Sequence, residues 1–123
     1  MNDPAGAAPP PIGPYTPVVR AGGWLVVSGQ LGMAAGELVG GGTASQVGQA
    51  LANLRRLLEA EGASLDHVVK TTVFLVDMDD YGAMNQAYQE AFGAHRPARS
   101  AVAVAALPRR ARVEVEAWAW VGG

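Results

Sequence analysis

Arg99 and Glu114 are two residues of this chain whose types and positions could do chemistry. Arg99 stands in "RPARSAVAVAALPRR", at the mouth of an apolar strand, with Ala101, Ala103 and Ala105 following on its own side. Two readings of it are open. It is either a strand-end charge paired with Glu114 or Glu116 on a neighbouring strand, or a fixed guanidinium that grips a ligand carboxylate through two parallel hydrogen bonds. The small Ala101 leaves room for that ligand. Glu114 alternates with valines in "RVEVEAWAWV" and is either a solvated strand charge or a group that holds and polarises a water. Asn85 is a polar residue inside an apolar helical stripe, where an amide either satisfies a backbone carbonyl or meets a ligand. Ser28 and Gly29 end a strand in "VVSGQ", and Tyr15 in "IGPYTP" either anchors the N-terminal arm or walls a pocket.

Several classes of chemistry have no residues to carry them. The chain lacks cysteine, which excludes disulfides, thiolate nucleophiles and zinc-thiolate sites. Its two histidines, His67 and His95, are not at metal-ligand spacing with a second strong ligand, so no metal site is expected. No serine-histidine-acid triad is suggested for Ser28. The glycines of "GELVGGG" follow neither phosphate-binding order. With 9 basic and 11 acidic residues the net charge is −2, and no basic run exceeds Arg55-Arg56 or Arg109-Arg110, which argues against nucleic acid as a partner. No basic segment followed by an apolar run opens the chain, and no apolar stretch reaches membrane-spanning length, so the expectation is a cytoplasmic protein.

The elements that must position these residues are legible in outline. The 123 residues fit one domain, and 50% hydrophobic with 16% charged residues is enough for a core. Six of the eight prolines fall at or before Pro17. Residues 1–11 are therefore expected to be a flexible Pro/Ala-rich arm and residues 12–123 a single domain. Val18-Val19 and Trp24–Ser28 read as a hairpin turning at Ala21-Gly22-Gly23, and the glycine-rich run after it as a connection. Thr43 and Gln46 offer a capping box for a helix whose apolar stripe is Val47, Ala50, Leu51, Leu54, Leu57 and Leu58, stopping at Gly62. "HVVKTTVFLV" reads as a strand. Asp79 or Asp80 is placed to cap a second helix, through Phe92, with a core stripe of Tyr81, Met84, Tyr88 and Phe92. "RSAVAVAA" and "RVEVEAWAWV" close the chain as strands joined at Leu107–Arg110.

The resulting order is β-β-α-β-α-β-β, an α+β layout with a mixed sheet and two helices on one face. The last strand is apolar on both sides, with Glu114, Glu116, Trp118 and Trp120 opposite Val113, Val115, Ala117 and Ala119. Two helices cover one face only, and a face carrying two tryptophans is not left in water, so an oligomer is expected.

Taken together, "IGPYTP", "VVSGQL", "VVKTTVFLVDMDDYGAMNQAYQEAF", "RPARSAVAVAALP" and "VEVEA" resemble, in order, the signature segments of the Rid family, the reactive intermediate deaminases or YjgF family. The resemblance spans Ile12 to Val121. It implies a chorismate-mutase-like α+β fold assembled as a homotrimer, with clefts between subunits. It also implies hydrolysis of 2-iminobutanoate, 2-iminopropanoate and their enamine tautomers, released by pyridoxal-phosphate enzymes, to 2-keto acids and ammonia, without metal or organic cofactor. By the same resemblance Arg99 binds the substrate carboxylate and Glu114 positions the attacking water. Tyr15, Ser28, Gly29 and Asn85 line the cleft with Ala101, which stands where many members have cysteine. Ala103 and Ala106 depart from the glutamate and arginine of the well-known branch. Two other functions fit the family: a non-catalytic keto-acid-binding regulatory trimer, and an endoribonuclease, against which the charge balance speaks.

Overall fold

The computed structural model describes residues 10–122. Residues 1–9 of the expected arm lie outside the described residues, and its last two, Pro10 and Pro11, are exposed. Two helices, α1 (Gly42–Ala60) and α2 (Tyr81–Phe92), pack on one face of a five-stranded sheet. Its strands are β1 (Val18–Ala21), β2 (Trp24–Leu31), β5 (Val68–Leu75), β6 (Ala98–Ala103) and β7 (Val113–Trp120). The spatial order is β1-β2-β7-β5-β6, antiparallel except for the parallel β5–β6 edge, so the sheet is mixed as expected.

The hydrophobic patterns place the core where the periodicities put it. Val47, Ala50, Leu54 and Leu58 of α1 are 0% exposed, as are Val113, Val115, Ala117 and Ala119 of β7 beneath them. The hairpin β1–β2 turns through Gly22, whose φ of 59° suits a residue without Cβ. β2 runs past Ser28 to Leu31 because a bulge absorbs the irregularity: Val27 pairs with Ala117 and Gln30 with Val115, so Ser28 and Gly29 together face one residue of β7.

Four local expectations are corrected. The glycine-rich connection contains a small hairpin, β3 (Met33–Ala34) with β4 (Glu37–Leu38), turning through Ala35 and Gly36 at φ of 54° and 82°. Both central residues take the left-handed conformation that a two-residue hairpin needs, but an alanine in that place carries no turn signal. Thr43 and Gln46 form no capping box: the helix begins two residues earlier, after Gly41, with no side-chain cap. Asp79 and Asp80 likewise give α2 no side-chain cap. Asp77 instead accepts from the Asp79 amide and starts a 3₁₀ turn, Met78–Asp80, that leads into the helix. Finally, β6 ends at Ala103 rather than Ala106, and the Leu107–Arg110 turn holds Arg109 and Arg110 at φ of 60° and 57°.

The displaced capping residues have a tertiary task. Thr43 Oγ1 donates to Asp80 Oδ2 at 2.7 Å and accepts from Arg112 Nε at 3.0 Å. Arg112 Nη2 reaches the same carboxylate at 2.8 Å, and its backbone amide donates to Gln46 Oε1 at 2.9 Å. One knot thus ties the starts of α1, α2 and β7. On the opposite face no helix covers Trp118 and Trp120, each 44% exposed, or Val102 at 42%. Trp24 meets both indoles edge-on, at 5.8 and 4.9 Å between centroids.

The hydrogen bond from Thr43, then that from Arg112, hold the Asp80 carboxyl below its ordinary value near 3.8. A depressed acid contributes stability above its unfolded pKa and loses it as the pH falls through the folded one. Asp80→Asn is therefore expected to melt at a lower temperature than the parent at pH 7, the gap closing as both are acidified below that value. Thermal melts across the acid range check this; a gap independent of pH would remove the charge from the account.

Candidate active site

The sequence-named residues fall into two groups. The first surrounds Arg99. In the parallel pair β5–β6, Arg99 lies opposite Thr71, a fully buried residue whose hydroxyl is 2.7 Å from the Tyr88 hydroxyl of α2. Partners across a ladder point the same way, so Arg99 points toward the helices. Its Nη2 donates to the Tyr81 hydroxyl at 3.0 Å, and its Nη1 lies 3.6 Å from Met84 Sδ. The guanidinium carbon sits 4.9 Å from the Tyr88 ring centroid and 5.5 Å from that of Tyr81. Among the described residues no carboxylate pairs with Arg99. The reading of a strand-end charge matched to Glu114 or Glu116 is thereby corrected: aromatic faces hold this cation, and three of its five N–H donors stay free after the two bonds above.

Asn85 shares the α2 face that Arg99 touches, one turn beyond Tyr81. Its Oδ1 is buried and has no hydrogen-bond partner among the described residues, an acceptor left unpaired where buried amides usually find a donor. Ala101 follows Arg99 on the same side and packs, half-buried, against the core. Tyr81, expected in the core stripe, is instead 41% exposed, while Met84, Tyr88 and Phe92 are buried.

The second group surrounds Glu114. A cavity of about 280 Å³ is lined by Tyr15, Ser28, Gly29, Gln30, Pro108 and Glu114, among others. The β2 bulge builds it. Ser28 donates its hydroxyl to the Thr16 carbonyl at 2.7 Å and its amide to the Pro17 carbonyl at 2.9 Å, which lays the Tyr15 segment beside the bulge. A Cβ at Gly29 would run into the Glu114 side chain where it now lies, so a larger residue there would displace that carboxylate. Glu114 is half-buried, and loss of water, then the charge of Glu116, push its carboxyl above the ordinary glutamate value. A carboxylate so placed is a stronger base than one in water, and the cavity has room for a small molecule with water beside it.

The two groups do not meet within one chain. Arg99 is level with Thr71 and, across it, with Ala117 on the helix-covered face; Glu114 is level with Phe74 and faces the open side. Tyr15, Ser28, Gly29 and Glu114 are brought together, as are Arg99, Asn85 and Ala101, but the sheet separates the sets. The sequence reading missed Tyr81, Met84 and Tyr88 as the holders of Arg99. Their spacing on one helical face was visible, but nothing in it marked an arginine from another element. The histidines are structural: His67 Nδ1 accepts from the Ser64 amide at 3.1 Å, and His95 Nε2 lies 2.7 Å from the Val68 carbonyl. Among the described residues no group of three or more histidine, aspartate or glutamate side chains could hold a metal, and no helix is long and apolar enough to cross a membrane.

Comparison with known proteins matches this arrangement to one family. The sequence model described as endoribonuclease L-PSP matches residues 5–121. The chain is 47% identical to a mouse protein named 2-iminobutanoate/2-iminopropanoate deaminase, over 94% of this chain and 87% of that protein. It is 45% identical to a RutC family protein of Pyrococcus horikoshii, over 92% and 91%. Among solved structures, RidA from an Antarctic Psychrobacter superposes with a TM-score of 0.90 at 36% identity, covering 94% of this chain and 95% of that one. Escherichia coli TdcF with bound serine superposes at 0.88 and 34% identity, covering 94% of each. With the matching segments spread from the Tyr15 loop to β7, and the mixed sheet and two helices shared, the chain belongs to the Rid (YjgF) family.

Proposed function

We propose that this protein is a 2-iminobutanoate/2-iminopropanoate deaminase that works as a homotrimer, hydrolysing imines and enamines released by pyridoxal-phosphate enzymes to 2-keto acids and ammonia. The observation that carries the reading is the Arg99 guanidinium, fixed on two tyrosine rings with no carboxylate against it among the described residues. Such a cation is a ready partner for the carboxylate of a small acid. Relatives 44% and 47% identical carry the deaminase name, and one structural relative holds serine, which shares the carboxylate and α-nitrogen of a 2-imino acid.

The separation of the two groups gives the trimer its reason. Arg99 with Asn85 and Ala101 on one subunit, and Glu114 with Tyr15, Ser28 and Gly29 on the next, would face each other across a cleft. The uncovered tryptophan face supports such packing. Within the cleft Arg99 binds the substrate carboxylate and presents the C=N carbon to a water held by Glu114. Glu114 takes a proton from that water as its oxygen bonds to carbon. The π electrons move to nitrogen, which takes that proton from Glu114. As the carbinolamine collapses, Glu114 takes its hydroxyl proton and passes it to the departing nitrogen, so ammonia leaves, the keto acid forms and the carboxylate is regenerated. No covalent enzyme intermediate is needed, because an imine carbon is already electrophilic; orientation and proton handling suffice. Cleavage of RNA would require a cationic surface that a chain of net charge −2 does not provide.

The direct test generates iminobutanoate with a pyridoxal enzyme and follows 2-ketobutyrate. Arg99→Ala is expected to lose about 100-fold or more in kcat/KM, the scale of two charge-assisted hydrogen bonds. Parent-like rates in that variant would sink the proposal, and sedimentation should give the mass of three chains.

Glu114→Gln should lose about 100-fold or more in turnover while still binding 2-ketobutyrate in calorimetry. Because burial raises the Glu114 pKa, its charged form opposes folding. A raised acid contributes stability below its unfolded pKa and loses it as the pH rises through the folded one. Glu114→Gln should thus melt higher than the parent at pH 7, with the advantage gone at acid pH. The parent's kcat/KM should also fall on its acid side around a pKa above the ordinary 4.5. A variant less stable than the parent at pH 7 would contradict the burial argument.

A further inference from the structure

Tyr81 is spent neither on the core nor on the proposed reaction. It opens α2 and is 41% exposed, whereas Tyr88, two turns further along the same face, is 6% exposed. Its place is nonetheless fixed. Asp80, the residue before it, is held by Thr43 and Arg112 in the knot that joins α1, α2 and β7. The phenol ring lies against the Arg99 guanidinium, and its oxygen accepts from Arg99 Nη2 at 3.0 Å. A phenol is donor and acceptor at once. With its oxygen engaged by Arg99, its O–H remains available to a further acceptor, and none is found among the described residues.

We infer that the Tyr81 hydroxyl and the free N–H groups of Arg99 together form the carboxylate grip of the site, with Tyr81 as a positioning residue that sets the plane of the guanidinium and adds one donor to the bound acid. The inference rests on the deaminase reading above. Its chemistry follows from the geometry. A guanidinium held only by ring faces can rock on them, because that attraction is weakly directional, whereas the hydrogen bond to Tyr81 removes one rotation. An anion accepting from both the phenol and the guanidinium gains a charge-assisted bond that a neutral ligand of the same shape does not. The pair therefore favours small 2-imino and 2-oxo acids over their amides.

Tyr81→Phe isolates the hydroxyl, since it keeps the ring against Arg99 and the start of α2. Calorimetry with 2-ketobutyrate is expected to show Kd rising about tenfold, the lower end for a hydrogen bond to a charged group. The iminobutanoate assay should show kcat/KM falling by a similar factor, carried by KM rather than kcat. Melting temperature and sedimentation should match the parent. A parent-like Kd, or a loss of kcat that tracks a lowered melting temperature, overturns the inference. Arg99→Ala run beside it separates the two levels. If that variant loses activity while Tyr81→Phe binds like the parent, only the role of Tyr81 falls. If Arg99→Ala is fully active, the deaminase reading falls with it.

Discussion

The alternation of β7 is the constraint on which the rest of the structure depends. Val113, Val115, Ala117 and Ala119 are each 0% exposed beneath the helices, while Glu114, Glu116, Trp118 and Trp120 point the other way. β7 is the central strand, paired on both sides by β2 and β5. A slip of one residue would drive two carboxylates and two indoles into the helix-covered core and expose four apolar side chains. Each buried, unpaired carboxylate would cost several kcal/mol. Hydrophobic burial therefore fixes the register, and the register in turn places Glu114 against the β2 bulge. The Arg112 knot sits two residues upstream and pins the strand where it enters the sheet.

Two arginines illustrate how the fold separates structural from available charge. Arg112 is matched by Asp80 and Thr43, so its charge is used up in joining three elements. Arg99 has aromatic faces, a hydroxyl and a thioether, all neutral. Attraction to ring faces amounts to about 0.5–2 kcal/mol and does not neutralise the cation. It holds the side chain in place while leaving its field open to an anion from outside. An acidic neighbour would have fixed the side chain as well, but would compete with any carboxylate ligand.

What could be read from the sequence was whatever periodicity controls. The apolar stripe of α1, the two faces of β7 and the β-branched β5 follow from patterns of 3.6 and 2, and their side chains are buried accordingly. The features that escaped depend on partners distant in sequence or on backbone conformations without a compositional mark. Thr43 and Gln46 have the spacing of a capping box, but Asp80 and Arg112 compete for the same polar atoms and win. Ala35 takes a left-handed turn that glycine or asparagine would have announced. Tyr81 fits an apolar stripe by spacing, but its hydroxyl finds Arg99, 18 residues away. The candidate site residues could be picked out by type. Their distribution on two faces of one sheet required strand order and register, which no local pattern encodes.

In the proposed trimer that distribution would link assembly to chemistry. In the single chain Glu114 already has a raised pKa because water is removed from it. A neighbouring subunit covering the open face would remove more, pushing in the same direction, while an approaching Arg99 would pull the other way. In the proposed trimer substrate would resolve the conflict: its carboxylate would neutralise the guanidinium, so the carboxylate of Glu114 would meet a local charge near zero and keep the basicity that burial gives it. An arginine that already carried an acid of the protein would bind substrate poorly. One that reached Glu114 directly would weaken it as a base. Holding Arg99 on tyrosines, on the far face of its own sheet, avoids both within the chain and leaves the encounter to be mediated by the ligand.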